Sequence, residues 1–168
     1  MRTIHPTPLS KEAFAPYGRI LEIPQTAPTK WGEGWTCFSD VDRLYPTSPL
    51  MVGIVQCERL PSEIRALEAH TSREEMLWAI DQPLIMVVST PLALADPQRR
   101  PSGSDAQAFL IQPGQAVILA KGTWHSPAFS ANGTPAVYYF LVEAKADSID
   151  QDAAPWIPFD DNSILTVI

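Results

Sequence analysis

Four side chains in this sequence have types and spacings suited to acid–base or metal chemistry: Glu68, His70, Glu75 and His125. The chain holds only three histidines, and His5, beside Pro6, reads as a solvated terminal side chain without a task. The other two have informative neighbours. His70 has Glu68 two positions before it and Glu74 and Glu75 shortly after, while His125 closes a run framed by Gly114 and Gly122. Two carboxylates and two neutral imidazoles converging in one cavity offer the N and O donors that a divalent first-row metal takes. Without an ion the carboxylates would repel and raise each other's proton affinity, which makes an acid/base pair. The bland alternative has Glu68, Arg73 and Glu74 forming an exposed charged turn, with both imidazoles serving as hydrogen-bonded structural residues.

The elements that must position these groups are mostly strands. Runs rich in Val, Ile and aromatics predict strands over Leu50 to Cys57, Met76 to Ile80, Leu84 to Thr90, Gln107 to Ile111, Ala116 to Ala120 and Ala136 to Glu143. Gly, Pro, Asp or Asn lies between most of them. The 17 prolines are spread through the chain, as expected of short strands separated by turns. This spacing favours a sandwich or barrel over alternating βαβ units. Near the start, Ser10 caps a short helix through Phe14, Gly18 stops it, and a first strand runs from Arg19 to Ile23. The stretch from Pro24 to Pro49 reads as irregular, anchored by Trp31, Trp35 and Phe38. The tail after Asp147 is acidic, then carries Trp156, Ile157, Phe159 and Ile164, which are expected to pack back onto the barrel or a partner subunit. Residues 62–69 (SEIRALEA) read either way, having helix formers and a serine cap. The choice matters: in a strand Glu68 and His70 share a face, whereas on a helix they diverge by about 200°.

Composition narrows the function classes. At 168 residues the chain fits one domain and needs no disulfide or metal to fold. A net charge of −7 repels phosphate backbones, so nucleic acid is not an expected partner. No window approaches the ~20 apolar residues of a membrane span. The N-terminus lacks a signal-peptide pattern, and Cys37 and Cys57 then read as reduced thiols of a cytoplasmic protein.

The residues around the histidines resemble the paired motifs of the cupin superfamily. The second motif matches at Gly114, Gly122 and His125, with Ala120 in place of proline. The first matches at His70 and Glu75, with Glu68 where a leading histidine stands and Gln82 where a glycine stands. A narrower resemblance covers nearly the full length. The opening Pro8-Leu9-Ser10-Lys11-Glu12-Ala13-Phe14-Ala15-Pro16-Tyr17-Gly18-Arg19-Ile20-Leu21-Glu22, then Leu67-Glu68-Ala69-His70 and Trp124-His125-Ser126-Pro127, are similar to the ureidoglycolate lyase family.

That resemblance implies an all-β fold, a single cupin-like domain over residues 1–168: a double-stranded β-helix or jelly-roll barrel with short peripheral helices. It implies a homodimer that splits ureidoglycolate into glyoxylate and urea during allantoin breakdown. Cupin metal ligands carry over to Glu68, His70, Glu75 and His125, with a divalent ion and no organic cofactor. For the elimination, Glu75 is assigned as base and His125 as acid. Lys121 and Arg73 are candidate cationic contacts to the substrate, and Trp124 is a candidate pocket wall, although an aromatic beside a barrel strand is more often core. The family differs in having Gln at the place of Glu75, His at that of Ser126, and an Asp-Arg pair near Val142-Glu143-Ala144. Two rivals stay open: another metal-dependent cupin enzyme on a small acid, such as a dioxygenase or isomerase, and a non-catalytic small-molecule-binding cupin.

Overall fold

Short β-runs can bury their apolar faces only by pairing, and every strand among the described residues has a partner. The structure, a computed structural model, describes residues 1–91, 100–144 and 156–168. In chain order the elements are β1 (Arg2–Ile4), β2 (Pro6–Pro8), α1 (Lys11–Phe14), β3 (Gly18–Leu21), β4 (Lys30–Gly32) and β5 (Trp35–Cys37). Then come β6 (Leu50–Cys57), β7 (Ala66–Leu67), β8 (Glu75–Ala79), β9 (Leu84–Ser89), β10 (Gln107–Ile111) and β11 (Ala116–Leu119). The last are β12 (Trp124–His125), β13 (Phe129–Ser130), β14 (Ala136–Glu143), β15 (Ile157–Pro158) and β16 (Leu165–Val167).

Two five-stranded sheets carry the architecture. One has the order β3-β11-β8-β14-β6; the other runs β12-β9-β10-β2, with β13 also pairing β9. Side chains alternate across a strand, so each sheet has two faces with different surroundings. Leu84, Met86 and Val88 of β9 join Leu77, Val117, Phe109 and Tyr138 in the core between the sheets. Ile85 and Val87 face the other way, into a second core with Ile64, Leu67, Trp124, Phe159 and Leu165. Chain ends build the cover of that second core: β1 pairs in parallel with β16, and β15 pairs with β7. The result is the expected all-β, two-sheet barrel. The helix is the single turn anticipated, with Ser10 Oγ accepting from the Ala13 N–H at 3.2 Å.

Several expectations need correction. The stretch from Pro24 to Pro49 is not wholly irregular, because β4 and β5 form a hairpin within it. Trp31 and Trp35 do not anchor anything there; they are 71% and 53% exposed. Phe159 packs into the second core as expected and Ile157 lies against it, but Trp156 is 48% exposed. The acidic stretch after Asp147 lies outside the described residues. Residues 62–69 resolve to extended chain, since Ile64 bridges Leu165 and Glu68 bridges His125.

Candidate active site and metal centre

Backbone pairing, not proximity in sequence, assembles the site. The Glu68 N–H donates to the His125 carbonyl at 2.9 Å, and the His125 N–H returns the bond to Glu68 at 2.8 Å. One step along, the Gly122 N–H donates to the His70 carbonyl at 2.7 Å. Gly122 has φ +80°, a left-handed turn that a side chain would strain, and it reverses the chain between β11 and β12. His125 lies opposite Val88 in register and so shares its inward face. Glu75 opens β8 opposite Leu119 of β11 and Val142 of β14, and shares the inward face of Leu77 two residues on. Four side chains from three separated stretches thus meet inside the barrel.

Glu75 Oε2 lies 3.0 Å from His70 Nε2 and 3.5 Å from His125 Nε2. Glu68 Oε1 is 3.7 Å from His125 Nε2, and the two imidazole centroids are 5.4 Å apart. Ligand atoms of Glu68, His70 and His125 all fall within 4.8 Å of one another. Donors held about 2.1 Å from a common ion stand roughly 3–4 Å apart, so this cluster fits a divalent cation after a small contraction. The donor chemistry fits as well. His125 Nδ1 is 2.9 Å from the Thr123 carbonyl and donates its proton there, which leaves Nε2 as the electron-pair donor aimed at the cluster. Glu75 Oε2 is buried, and its near neighbours are the two imidazole Nε2 atoms, so it faces the place where the ligand atoms converge.

Electrostatics keep the groups charged without an ion. Burial pushes the Glu75 carboxyl up, but contacts with His125 and His70 outweigh it and hold Glu75 down at about 2. Burial pushes His125 down, and Glu75 followed by Glu68 outweighs that, leaving His125 above its ordinary value. In the absence of an ion, both shifts favour the same state, a carboxylate facing an imidazolium.

The other sequence candidates are distributed differently. Arg73 is buried, 8% exposed, two residues before Glu75, and its Nη1 donates to the Glu143 carbonyl at 3.0 Å. Lys121 is exposed and lines a cavity of about 240 Å³ with Tyr45, Glu74, Leu141 and Glu143, outside the cluster. Trp124 is 6% exposed in the second core, on the face of β12 opposite His125; it belongs to the packing and not to the pocket wall. Ser126 is likewise structural, its Oγ accepting from the Val87 N–H at 3.0 Å. Two residues escaped the sequence reading. Thr123, 1% exposed, fixes the His125 ring through a carbonyl that any residue type would supply. Tyr138 is a buried phenol kept protonated by burial and by the charge of Glu75, yet in sequence it is one aromatic within a β-run.

A family model described as ureidoglycolate lyase matches residues 1–156. This chain belongs to the ureidoglycolate lyase family. The ureidoglycolate lyase of Pseudomonas paraeruginosa is 30% identical over 137 residues, 77% of this chain and 78% of that protein. That of Pseudomonas syringae pv. tomato is 28% identical over 137 residues, 77% of each chain. Among solved structures, an oxalate decarboxylase mutant from Bacillus subtilis aligns with a TM-score of 0.42 and 18% identity, over 61% of this chain and 23% of that one. As a member of the ureidoglycolate lyase family the chain belongs to an enzyme family, and the polar cluster is the concentrated chemistry its barrel encloses. Among the described residues no helix is long and apolar enough to cross a membrane.

Proposed function

We propose that this protein cleaves ureidoglycolate to glyoxylate and urea, with Glu68, His70, Glu75 and His125 as the reacting centre. The observation that carries the proposal is the meeting of these four side chains inside the barrel of a chain from this family. The substrate is a carbinolamide: one carbon bears a hydroxyl, a carboxylate and the urea nitrogen. Elimination moves one proton from the hydroxyl oxygen to the departing nitrogen while the C–N bond breaks and the C–O bond becomes a carbonyl.

Glu68, His70 and His125 are the set that would hold a divalent ion. Such an ion supplies charge that neutralises a bound carboxylate and acidifies a coordinated hydroxyl. Glu75 then has the base's part: its buried Oε2 accepts the hydroxyl proton and hands it to the nitrogen on the same carbon. Burial favours the protonated carboxyl and the imidazoles oppose it. His125 serves as a ligand in that arrangement and as the protonated partner of Glu75 in its absence. Arg73 is the cation we assign to the substrate carboxylate, because it is buried and stands two residues before Glu75. In this reading the reaction belongs to allantoin breakdown in the cytoplasm.

The test is incubation of metal-loaded protein with ureidoglycolate, assaying glyoxylate and urea together. Equimolar release that disappears in His125→Ala is expected. Oxygen uptake without urea would favour a dioxygenase instead, and tight binding without turnover a binding protein. Elemental analysis is expected to find a near-stoichiometric divalent ion.

A second copy of the chain is the partner we propose for the outward face of the β3-β11-β8-β14-β6 sheet. From β6 to β11 two rows run without a charge: Val52, Leu141, Met76, Ile118 and, beside it, Ile54, Tyr139, Trp78, Ala116; on β3 the first row ends at Arg19. Val52 and Ile54 are 63% and 62% exposed, and β6 ends the sheet without a lysine, a proline or, among the described residues, a further pairing strand. The accessible part of these rows lies on β6, β14 and β8, since Ile118 and Ala116 on β11 are buried. Sedimentation equilibrium should show a dimer that Val52→Lys dissociates; a monomeric wild type overturns this assignment.

A further inference from the structure

Phe140 is the wide apolar side chain on β14 nearest to the reacting centre. It lies opposite Leu77 of β8 and Gly53 of β6, one inward-facing step from Val142, which stands opposite Glu75. Leu77 belongs to the inner core, so Phe140 also faces into the barrel. Its neighbours on that face, Tyr138 and Val142, are each 4% exposed, whereas Phe140 is only half-buried. Its ring leans across the strand onto Gly53: a Cβ built there would stand 2.0 Å from Phe140 Cζ and 2.1 Å from Cε1. Neither distance is tolerable, and both atoms belong to a rigid ring. Glycine inside a strand weakens it, and its usual reason is the close approach of another group.

We propose that Gly53 is a positioning residue for substrate size: its missing side chain makes a notch that holds the Phe140 ring against β6 and away from β8, the strand that carries Glu75. The inference rests on the reading of the Glu75 cluster as the reacting centre. A methyl group at residue 53 fills the notch, and the ring must return toward β8, where it competes with the ureido end of the substrate. The residue thereby sets how much room the substrate has without touching it.

Gly53→Ala tests this directly. KM for ureidoglycolate should rise at least about tenfold, the scale of one misplaced apolar group in a pocket, with kcat nearly unchanged. Manganese affinity, measured by titration, should also be unchanged. Gly53→Ala/Phe140→Ala should recover the wild-type KM, and Phe140→Ala alone should admit N-alkylated analogues that the wild type rejects. A purely structural ring, shielding a strand glycine from water, would instead shift the melting temperature and leave KM alone; that result overturns the inference. A crystal structure of Gly53→Ala with the ring still over residue 53 overturns it too, whatever the activity. Should Gly53→Ala fail to fold, the substrate range of Phe140→Ala decides, and an unwidened range counts against the notch. Absence of glyoxylate and urea from the wild type would instead refute the proposed reaction, since the ring position is read without turnover.

Discussion

β6 and β9 are both apolar runs, LMVGIVQC and LIMVVS, and by residue type they look alike. Their fates differ. All six residues of β9 are buried, whereas β6 is exposed at most positions, with Val52 and Ile54 beyond 60%. The cause is the path of the chain ends. β1, β16, β7 and β15 fold over the outer face of the β9 sheet and give Ile85 and Val87 a second core. Nothing comparable covers the outward side chains of β6 among the described residues. An apolar strand therefore reports that one of its faces is buried; whether the second is buried depends on what returns to cover it.

The contrast is sharpest for an inserted charge. Val87→Lys, buried between two layers without a partner, should cost several kcal/mol, comparable to a domain's whole stability, and abolish the cooperative thermal transition. Met86→Ala should then lower stability by about 2–5 kcal/mol in denaturant titrations. Equal tolerance of Val87→Lys and Val52→Lys would break the comparison.

The reacting centre hangs on the buried side of this contrast, because β12 is paired to β9. His125→Ala should keep the melting transition yet reduce urea release by ~10²-fold or more, the scale of lost acid–base catalysis. pH dependence sharpens the point further. Glu75 is held at about 2 against an ordinary 4.5, so its contribution is present above pH 4.5 and lost as pH falls toward 2. His125 is raised above 6.5, so its contribution is present below pH 6.5 and lost as pH rises through its folded value. In chelator, urea midpoints should be highest between these limits, and Glu75→Gln should flatten the acidic limb. The smallest effect belongs to the open strand. In a monomeric background Val52→Lys and Ile54→Ala should change stability by no more than about 0.5–1 kcal/mol.

The long strands were legible because Val, Ile and aromatic runs between turn residues have few other uses. The runs at residues 50–57, 84–90, 107–111 and 136–143 are strands within a residue. Seven two- and three-residue strands were not legible, β1, β2, β7, β12, β13, β15 and β16, since so few residues hold no period. The hairpin tryptophans misled for a related reason. Trp31 and Trp35 are large and apolar, but β4 and β5 pair only with each other and have no layer to pack against. Residues 62–69 carry helix formers, yet Ile64 and Glu68 find backbone partners at Leu165 and His125, and two tertiary bridges outweigh a weak local propensity.

By itself the sequence determined the chemical inventory: two imidazoles, two carboxylates, an acidic surface and β-runs long enough to enclose them. The glycine before His125 was equally local, since its left-handed turn is a property of one residue. The tertiary structure decided which groups meet, because Glu68 and His125 are joined by backbone bonds across 57 positions that no local pattern encodes. It also decided that His125 faces the barrel interior while Trp124 turns away, since a side chain's face follows from register, and register is set by the partner strand.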